Sequence, residues 1–108
     1  MSKPQANQAS RNRLTTDGFA EALLGKVKDA LKITHSHSDE EFIDIINACK
    51  QDLSLAGVSY IFADEPLCIR AVILYAKAHF SFNEDLHRFQ ISYDSVKNLL
   101  RLSGDNRV

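Results

Sequence analysis

Apolar side chains recur at steps of three and four residues through most of the chain, beginning at Phe19. The first segment with this spacing carries its large apolar residues four positions apart, at Phe19, Leu23, Val27 and Leu31. Charged residues fill the positions between them, so the apolar side chains share one face of a helix. The pattern predicts an amphipathic helix over residues 19–32.

A second periodic segment follows an acidic stretch. Ser38 precedes Glu41 by three positions, the pattern of a capping box in which each side chain binds the other's backbone amide, so that losing Ser38 would cost about 1 kcal/mol. The helix predicted from this start has its apolar residues at Phe42, Ile46, Cys49, Leu53 and Ala56. We expect it to stop at Gly57, with Val58 packing on Leu53 in a Schellman-type exit.

Residues 58–64, VSYIFAD, are apolar for a loop and have no turn pattern or length that demands a strand. Two interpretations are open for Tyr60, Ile61 and Phe62. They fold back on the core of their own chain, or they contact another chain.

Two further helices are predicted. Asp64 and Glu65 precede Pro66, which suits the first position of a helix because its missing amide would be unpaired there in any case. The following LCIRAVILYAKAHF is interrupted by just two charges, Arg70 and Lys77, so it predicts a central helix enclosed by its neighbours.

The last helix has Asn83 as its predicted N-cap and is expected to end near Gly104. Its apolar positions are Leu86, Phe89, Tyr93, Val96 and Leu100. Because no apolar alternation typical of strands occurs, the predicted fold class is all-α, a compact bundle of four main helices over residues 18–104. Residues 1–17 have few large apolar side chains and are predicted to be a flexible polar arm, and residues 105–108 a disordered tail.

Composition narrows the function. The 108 residues include 13 Lys and Arg and 14 Asp and Glu, a net charge of -1 that would not hold the protein on nucleic acid or anionic lipid. No apolar run approaches the roughly 18 residues of a membrane span, and the N-terminus lacks a secretory signal, so we expect a soluble cytosolic protein with no membrane partner. Cys49 and Cys68 lie in apolar segments without C-x-x-C spacing, which favours buried reduced thiols.

Candidate chemistry is sparse. His35 and His37 are two positions apart and would need a third ligand to hold a metal, so we interpret them as solvated linker histidines. The acidic pairs lie in first helical turns, where the helix dipole explains them, and the sequence has no phosphate-binding or nucleophile motif. We therefore predict no catalytic, cofactor-binding or metal-binding residues, no cofactor, and no enzyme activity. Three acids at the start of the second helix also disfavour a helix-turn-helix, which leaves a small helical DNA- or protein-binding regulator acting as a dimer as the second hypothesis.

Five segments, with compatible spacings, resemble the small head-tail connector proteins of long-tailed double-stranded DNA bacteriophages. They are VKDALKIT, SDEEF, ACKQDL, LYAKAHF and RFQISY, read in chain order. The resemblance spans about residues 24–103, as judged from the ordered set of motifs rather than from any one of them. Ser81 departs from the family, which often has glycine there, so the turn between the third and fourth helices is expected to differ.

The resemblance implies a head-completion adaptor found in the virion at the head-tail interface and assembled in the cytoplasm of the host bacterium. Its partners would be copies of itself in a closed ring of about twelve subunits, the portal protein, and a tail-side connector or terminator protein, with DNA passing through the channel without sequence-specific binding. We hypothesise that Tyr60, Ile61 and Phe62 contribute to the contact between subunits. Arg70 and Lys77 are further interface candidates, and for them pairing with acids of the same chain is the competing interpretation.

Overall fold

The computed structural model describes residues 18–81 and 83–106, so the predicted arm, residue 82 and the last two residues lie outside the described part. The described part contains four helices, α1 (Phe19–Ala30), α2 (Asp39–Leu55), α3 (Pro66–His79) and α4 (Asn83–Asn106). The all-α prediction is confirmed.

The first two helices run antiparallel. Near the end of α1 the Lys28 Nζ lies 2.7 Å from the Asp39 Oδ1 at the start of α2. Near the start of α1 the ring of Phe19 lies under the ammonium of Lys50, 5.2 Å from its centroid. The start of α2 also lies beside the end of α3, where aromatic rings of the two are 5.3 Å apart, so α2 and α3 are antiparallel as well.

The last two helices are also antiparallel. The rings of Tyr75 and Tyr93 meet edge to face at 5.2 Å, and the Lys77 ammonium lies 5.7 Å from the centre of the Phe89 ring. Residues earlier in α3 therefore lie beside residues later in α4.

The helix α3 lies at the centre of the bundle, as its apolar sequence predicts. It packs against each of the other three helices. Its fully buried or nearly buried residues are Cys68, Ala71, Val72, Leu74 and Ala76. The core around it is completed by Phe19, Ala20, Leu23, Val27, Phe42, Ile45, Ile46, Cys49, Leu53, Val58, Tyr93, Val96 and Leu100.

Two helix boundaries agree with the sequence. The Glu65 Oε1 accepts a hydrogen bond of 3.0 Å from the amide of Cys68, and Pro66 begins α3. At the end of α2, Gly57 adopts a φ of 100°, and the amide of Val58 donates to the carbonyl of Leu53 at 3.0 Å. The predicted Schellman exit is confirmed.

Other boundaries differ from the predictions. Ser38 stands directly before α2, but its side chain makes no capping hydrogen bond, so the predicted capping box with Glu41 is wrong. Its ψ is 21° rather than extended, and the amide of Asp39 instead donates to the carbonyl of Ser36. The extended backbone is what normally places the serine oxygen over the first amides of a helix.

The lengths of α1 and α4 also differ. α1 ends at Ala30 because Lys32 takes a φ of 61°, which lets the amide of Ile33 donate back to the carbonyl of Lys28. α4 includes Asn83 and continues to Asn106, past the expected end near residue 104. A glycine ends a helix where the backbone turns left-handed, and elsewhere it costs only about 1 kcal/mol.

Candidate functional site

A polar cluster joins α2 to α4. The Tyr93 hydroxyl donates a hydrogen bond of 2.6 Å to the Asp52 Oδ2, and the Lys97 Nζ donates to the same oxygen at 3.0 Å. The Cys49 thiol donates to the Tyr93 hydroxyl with an S to O distance of 3.7 Å. We call these four residues the Tyr93 cluster.

Helical spacing creates this cluster. Cys49 and Asp52 are three positions apart on α2, and Tyr93 and Lys97 are four apart on α4, so each pair projects from one face of its helix. The hydrophobic stripe that buries Tyr93 thus carries its hydroxyl to the edge of the core, where a half-buried carboxylate can accept from it. The carboxylate and the ammonium also balance each other's charge.

The cluster fixes the protonation of its members. Burial raises the pKa of the Cys49 thiol to about 12, with the hydrogen bond to Tyr93 opposing it in part. Burial, followed by the nearby thiol and the Asp52 carboxylate, also raises the pKa of Tyr93. Burial on its own would raise the pKa of Asp52, but hydrogen bonds from Tyr93 and Lys97 and the charge of Lys97 outweigh it, so that pKa is lowered. At neutral pH the thiol and phenol keep their protons and the carboxylate is charged, an arrangement that supports packing.

Three of the segments that carry the family resemblance meet at this point. ACKQDL supplies Asp52, RFQISY supplies Tyr93, and LYAKAHF supplies Tyr75, whose ring contacts that of Tyr93. Beside them lies an open groove of about 430 Å³, lined also by His79 and Gln90. Sequence reasoning placed Tyr93 in the core stripe but did not predict its partner, because the pairing depends on how α2 and α4 are registered in space.

The histidine and cysteine positions carry no metal site in the described part of the chain, where no group of three or more potential ligands comes together. His35 and His37 are exposed in the link between α1 and α2, with their rings stacked at 4.7 Å. Cys49 and Cys68 are buried and form no disulfide, as predicted.

The structure separates the proposed contact residues of the loop before α3. Ile61 is half-buried and packs against the core, and Tyr60 is also half-buried. Phe62 is 54% exposed, with its ring 6.1 Å from that of Tyr60. The loop therefore folds back through Ile61 and leaves Phe62 on the surface.

The two charged candidates on α3 also differ. Arg70 is exposed, and no carboxylate among the described side chains lies within ion-pair distance of it. Lys77 is half-buried over the ring of Phe89. The structure thus places both on α3 without pairing either of them to an acid in the described part of the chain.

Sequence reasoning missed a set of exposed aliphatic residues. Leu55, at the end of α2, is 79% exposed. Three more lie on α4 and are each about half exposed, namely Ile91, Leu99 and Leu102. The sequence did contain a signal for them. These leucines and the isoleucine lie outside the apolar stripe of their own helix, so burial within the bundle does not explain why they are apolar.

None of the helices in the described part is long and apolar enough to span a bilayer. Comparison with curated proteins and with solved structures finds no match. A family model described as phage connector protein matches residues 23–107, which include all of α2, α3 and α4 and most of α1. On the strength of that match over most of its length, the chain belongs to the phage connector protein family.

Proposed function

We propose that the protein is a non-enzymatic adaptor that forms a homo-oligomeric ring below the portal, completes the head and provides the attachment site for the tail. Membership of the connector family supports a structural role in the virion. We further propose that copies of the chain form a ring, that the ring lies on the portal protein, that a tail-side protein binds to it, and that DNA passes through it.

The observation that carries the proposal is the surplus of apolar surface. The core already contains residues from all four helices. Among the residues that the structure describes, five large apolar side chains nevertheless remain at least half exposed: Leu55, Phe62, Ile91, Leu99 and Leu102. Single exposed apolar residues are ordinary, whereas several on one small bundle favour a protein contact. A bundle of this size encircles a DNA duplex by joining several copies through a heterologous contact that closes.

The contact is proposed to involve the loop before α3 and the exposed side of α3. Phe62 and Arg70 are the strongest candidates because both are exposed and Arg70 has no acidic partner in the described part of the chain. Tyr60, Ile61 and Lys77 would contribute through the parts of their side chains that the bundle leaves accessible.

The charge balance suits a conduit. A net charge of -1 gives DNA no strong general attraction to the protein. A ring with a strongly basic lining would retain DNA through many phosphate contacts. We propose that DNA passes through without sequence-specific binding.

The test is negative-stain microscopy and light scattering of the full chain at high concentration, alone and mixed with purified portal protein. We expect annular particles, alone or on the portal, whose mass is a multiple of the chain mass. Monomers under both conditions would contradict the ring. A salt-sensitive mobility shift with short DNA duplexes, given by a dimer, would favour a helical regulator instead.

A further inference from the structure

We propose that the ring contact joins the outer side of α2 on one copy to a surface on the next copy formed by the exposed side of α3, the loop before it and the adjoining part of α4. The inference rests on the proposed ring and deepens it by assigning the partner surface of Arg70. The occupant of each surface is a second copy of this chain.

The first surface, which we call the α2 line, has one charged end and one apolar end. Asp44, Ala48, Gln51 and Leu55 follow one another at four, three and four positions and are all exposed, so they share the outward side of α2. Leu55 is the most exposed large apolar side chain of the described residues. Asp44 forms no ion pair within the described part, and Glu40, one turn earlier, forms none there either.

Glu40 and Asp44 have no ion-pair partner among the described residues, although Lys28 pairs with Asp39 at the start of the same helix. Glu40 and Asp44 are like charges at an i, i+4 spacing, which destabilises a helix by a few tenths of a kcal/mol. The helix dipole favours Glu40 in the first turn, but its effect fades beyond that turn and does not extend to Asp44. A cation from outside the chain would relieve the repulsion.

The second surface, which we call the α3 line, has the complementary character. Arg70, Ile73 and Lys77 are spaced three and four apart on one side of α3, with Arg70 exposed and the other two half-buried. Since Lys77 lies over Phe89 and the helices are antiparallel, Arg70 is level with about residue 96 of α4, within one turn of the exposed Leu99. The cationic Arg70 and the apolar Leu99 are therefore at a similar height along the bundle.

The two lines are complementary in charge, and the α3 line is short enough to lie within the length of the α2 line. Each includes aliphatic side chains and a charge that has no ion-pair partner among the described residues, and the charges are opposite in sign. The α2 line spans about 17 Å and the α3 line about 11 Å, at a rise of about 1.5 Å per residue. We propose that each copy uses its two lines on two different neighbours, which makes the contact heterologous, as a ring requires. Opposite charges also set the register of such a contact and disfavour wrong pairings.

The experiment is a reciprocal charge reversal in the full-length chain. Arg70→Glu and Asp44→Lys are made separately, and association is measured by sedimentation velocity over a concentration series. Lys26→Glu and Glu21→Lys, both at exposed positions on α1, are the matched controls. Circular dichroism and urea unfolding establish that each variant folds like the natural protein.

We expect each reversal on the two lines to weaken self-association about tenfold or more, while the α1 controls leave it unchanged. An equimolar mixture of Arg70→Glu and Asp44→Lys should associate more tightly than either alone, because each copy then meets an opposite charge at both of its surfaces. A misfolded variant could not give this recovery.

Two results would overturn the inference. If both variants associate as the natural protein does, or the mixture gains nothing over its components, the surfaces are wrong while the ring stands. If the natural protein and the mixture both remain monomeric, alone and on the portal protein, the ring itself fails and the inference with it.

Discussion

The two sides of α4 differ in burial, although both carry large apolar residues. The inward side places Tyr93, Val96 and Leu100 in the core, where they are at most 9% exposed. The outer part of the same helix leaves Leu99 and Leu102 about half exposed. The inward residues are needed to hold this chain together, and the outward ones have no comparable role within the described part of the bundle.

Under the proposed function, inward positions of α4 stabilise the fold, and neighbouring outward positions serve association. Full burial of a leucine contributes about 1.5–3 kcal/mol, and a half-exposed leucine keeps part of that free energy available for a partner. Leu100 and Leu102 differ by two positions and lie on different sides of one helix. Substitutions at such pairs can separate folding from association.

The largest expected effect is at Leu100, which is 4% exposed. Leu100→Ala should lower the free energy of unfolding by about 2–4 kcal/mol, because it removes buried methyl groups and leaves a cavity. Urea denaturation monitored by circular dichroism measures the loss. Leu102→Ala is the control and should cost less than about 0.5 kcal/mol. Equal losses at the two positions would refute the division between the sides of α4.

The next effect concerns the polar edge of the inward side. Tyr93→Phe keeps the ring but removes the hydroxyl that donates to Asp52 and accepts from Cys49, so it should cost about 1–2 kcal/mol. Tyr75→Phe is a matched control, because the Tyr75 hydroxyl makes no hydrogen bond to any described residue. If both substitutions have the same effect on the unfolding free energy, the Tyr93 cluster does not join α2 to α4.

A smaller effect should appear as a dependence on pH. The pKa of Asp52 is lowered in the folded protein, so its contribution to stability is complete above the ordinary aspartate pKa of about 3.9. That contribution is lost as the pH falls through the lowered folded-state pKa. Stability curves of the natural protein and Asp52→Asn should differ at pH 7 and converge towards pH 2. A difference that stays constant over this range would show that the Asp52 charge has no part in the fold.

The inward residues were predictable from sequence and the outward contacts were not. The stripe that buries Tyr93, Val96 and Leu100 repeats within one helix, so a local pattern contains the information. The bond from Tyr93 to Asp52 joins residues 41 positions apart, and its existence depends on the relative placement of two helices. No periodicity in either segment encodes that placement.

Helix ends were predictable where one residue type is decisive. Gly57 and Pro66 have backbone preferences that fix a boundary, and both stand where expected. Ser38 has a side chain that can cap in one backbone conformation and not in another, and the link before it sets a ψ that prevents capping. Lys32 ends α1 in a conformation that its residue type disfavours, so the sequence pattern predicted two more helical residues.

The loop before α3 required the structure for another reason. Its apolar residues follow no period, so the sequence left two interpretations open. In the structure Val58 is buried, Ile61 packs against the core and Phe62 is exposed. Adjacent residues of the loop thus divide between the core and the surface, much as the two sides of α4 do.

The central claim is that the outward apolar residues serve association, and its most direct test is the double substitution Leu99→Ser with Leu102→Ser. Sedimentation velocity and urea unfolding are measured on the same samples, beside the natural protein. We predict that the unfolding free energy falls by less than Leu100→Ala alone costs, because both residues are half exposed, while the assembled species is lost. A variant that assembles as the natural protein does, or that loses as much stability as Leu100→Ala, would contradict the claim.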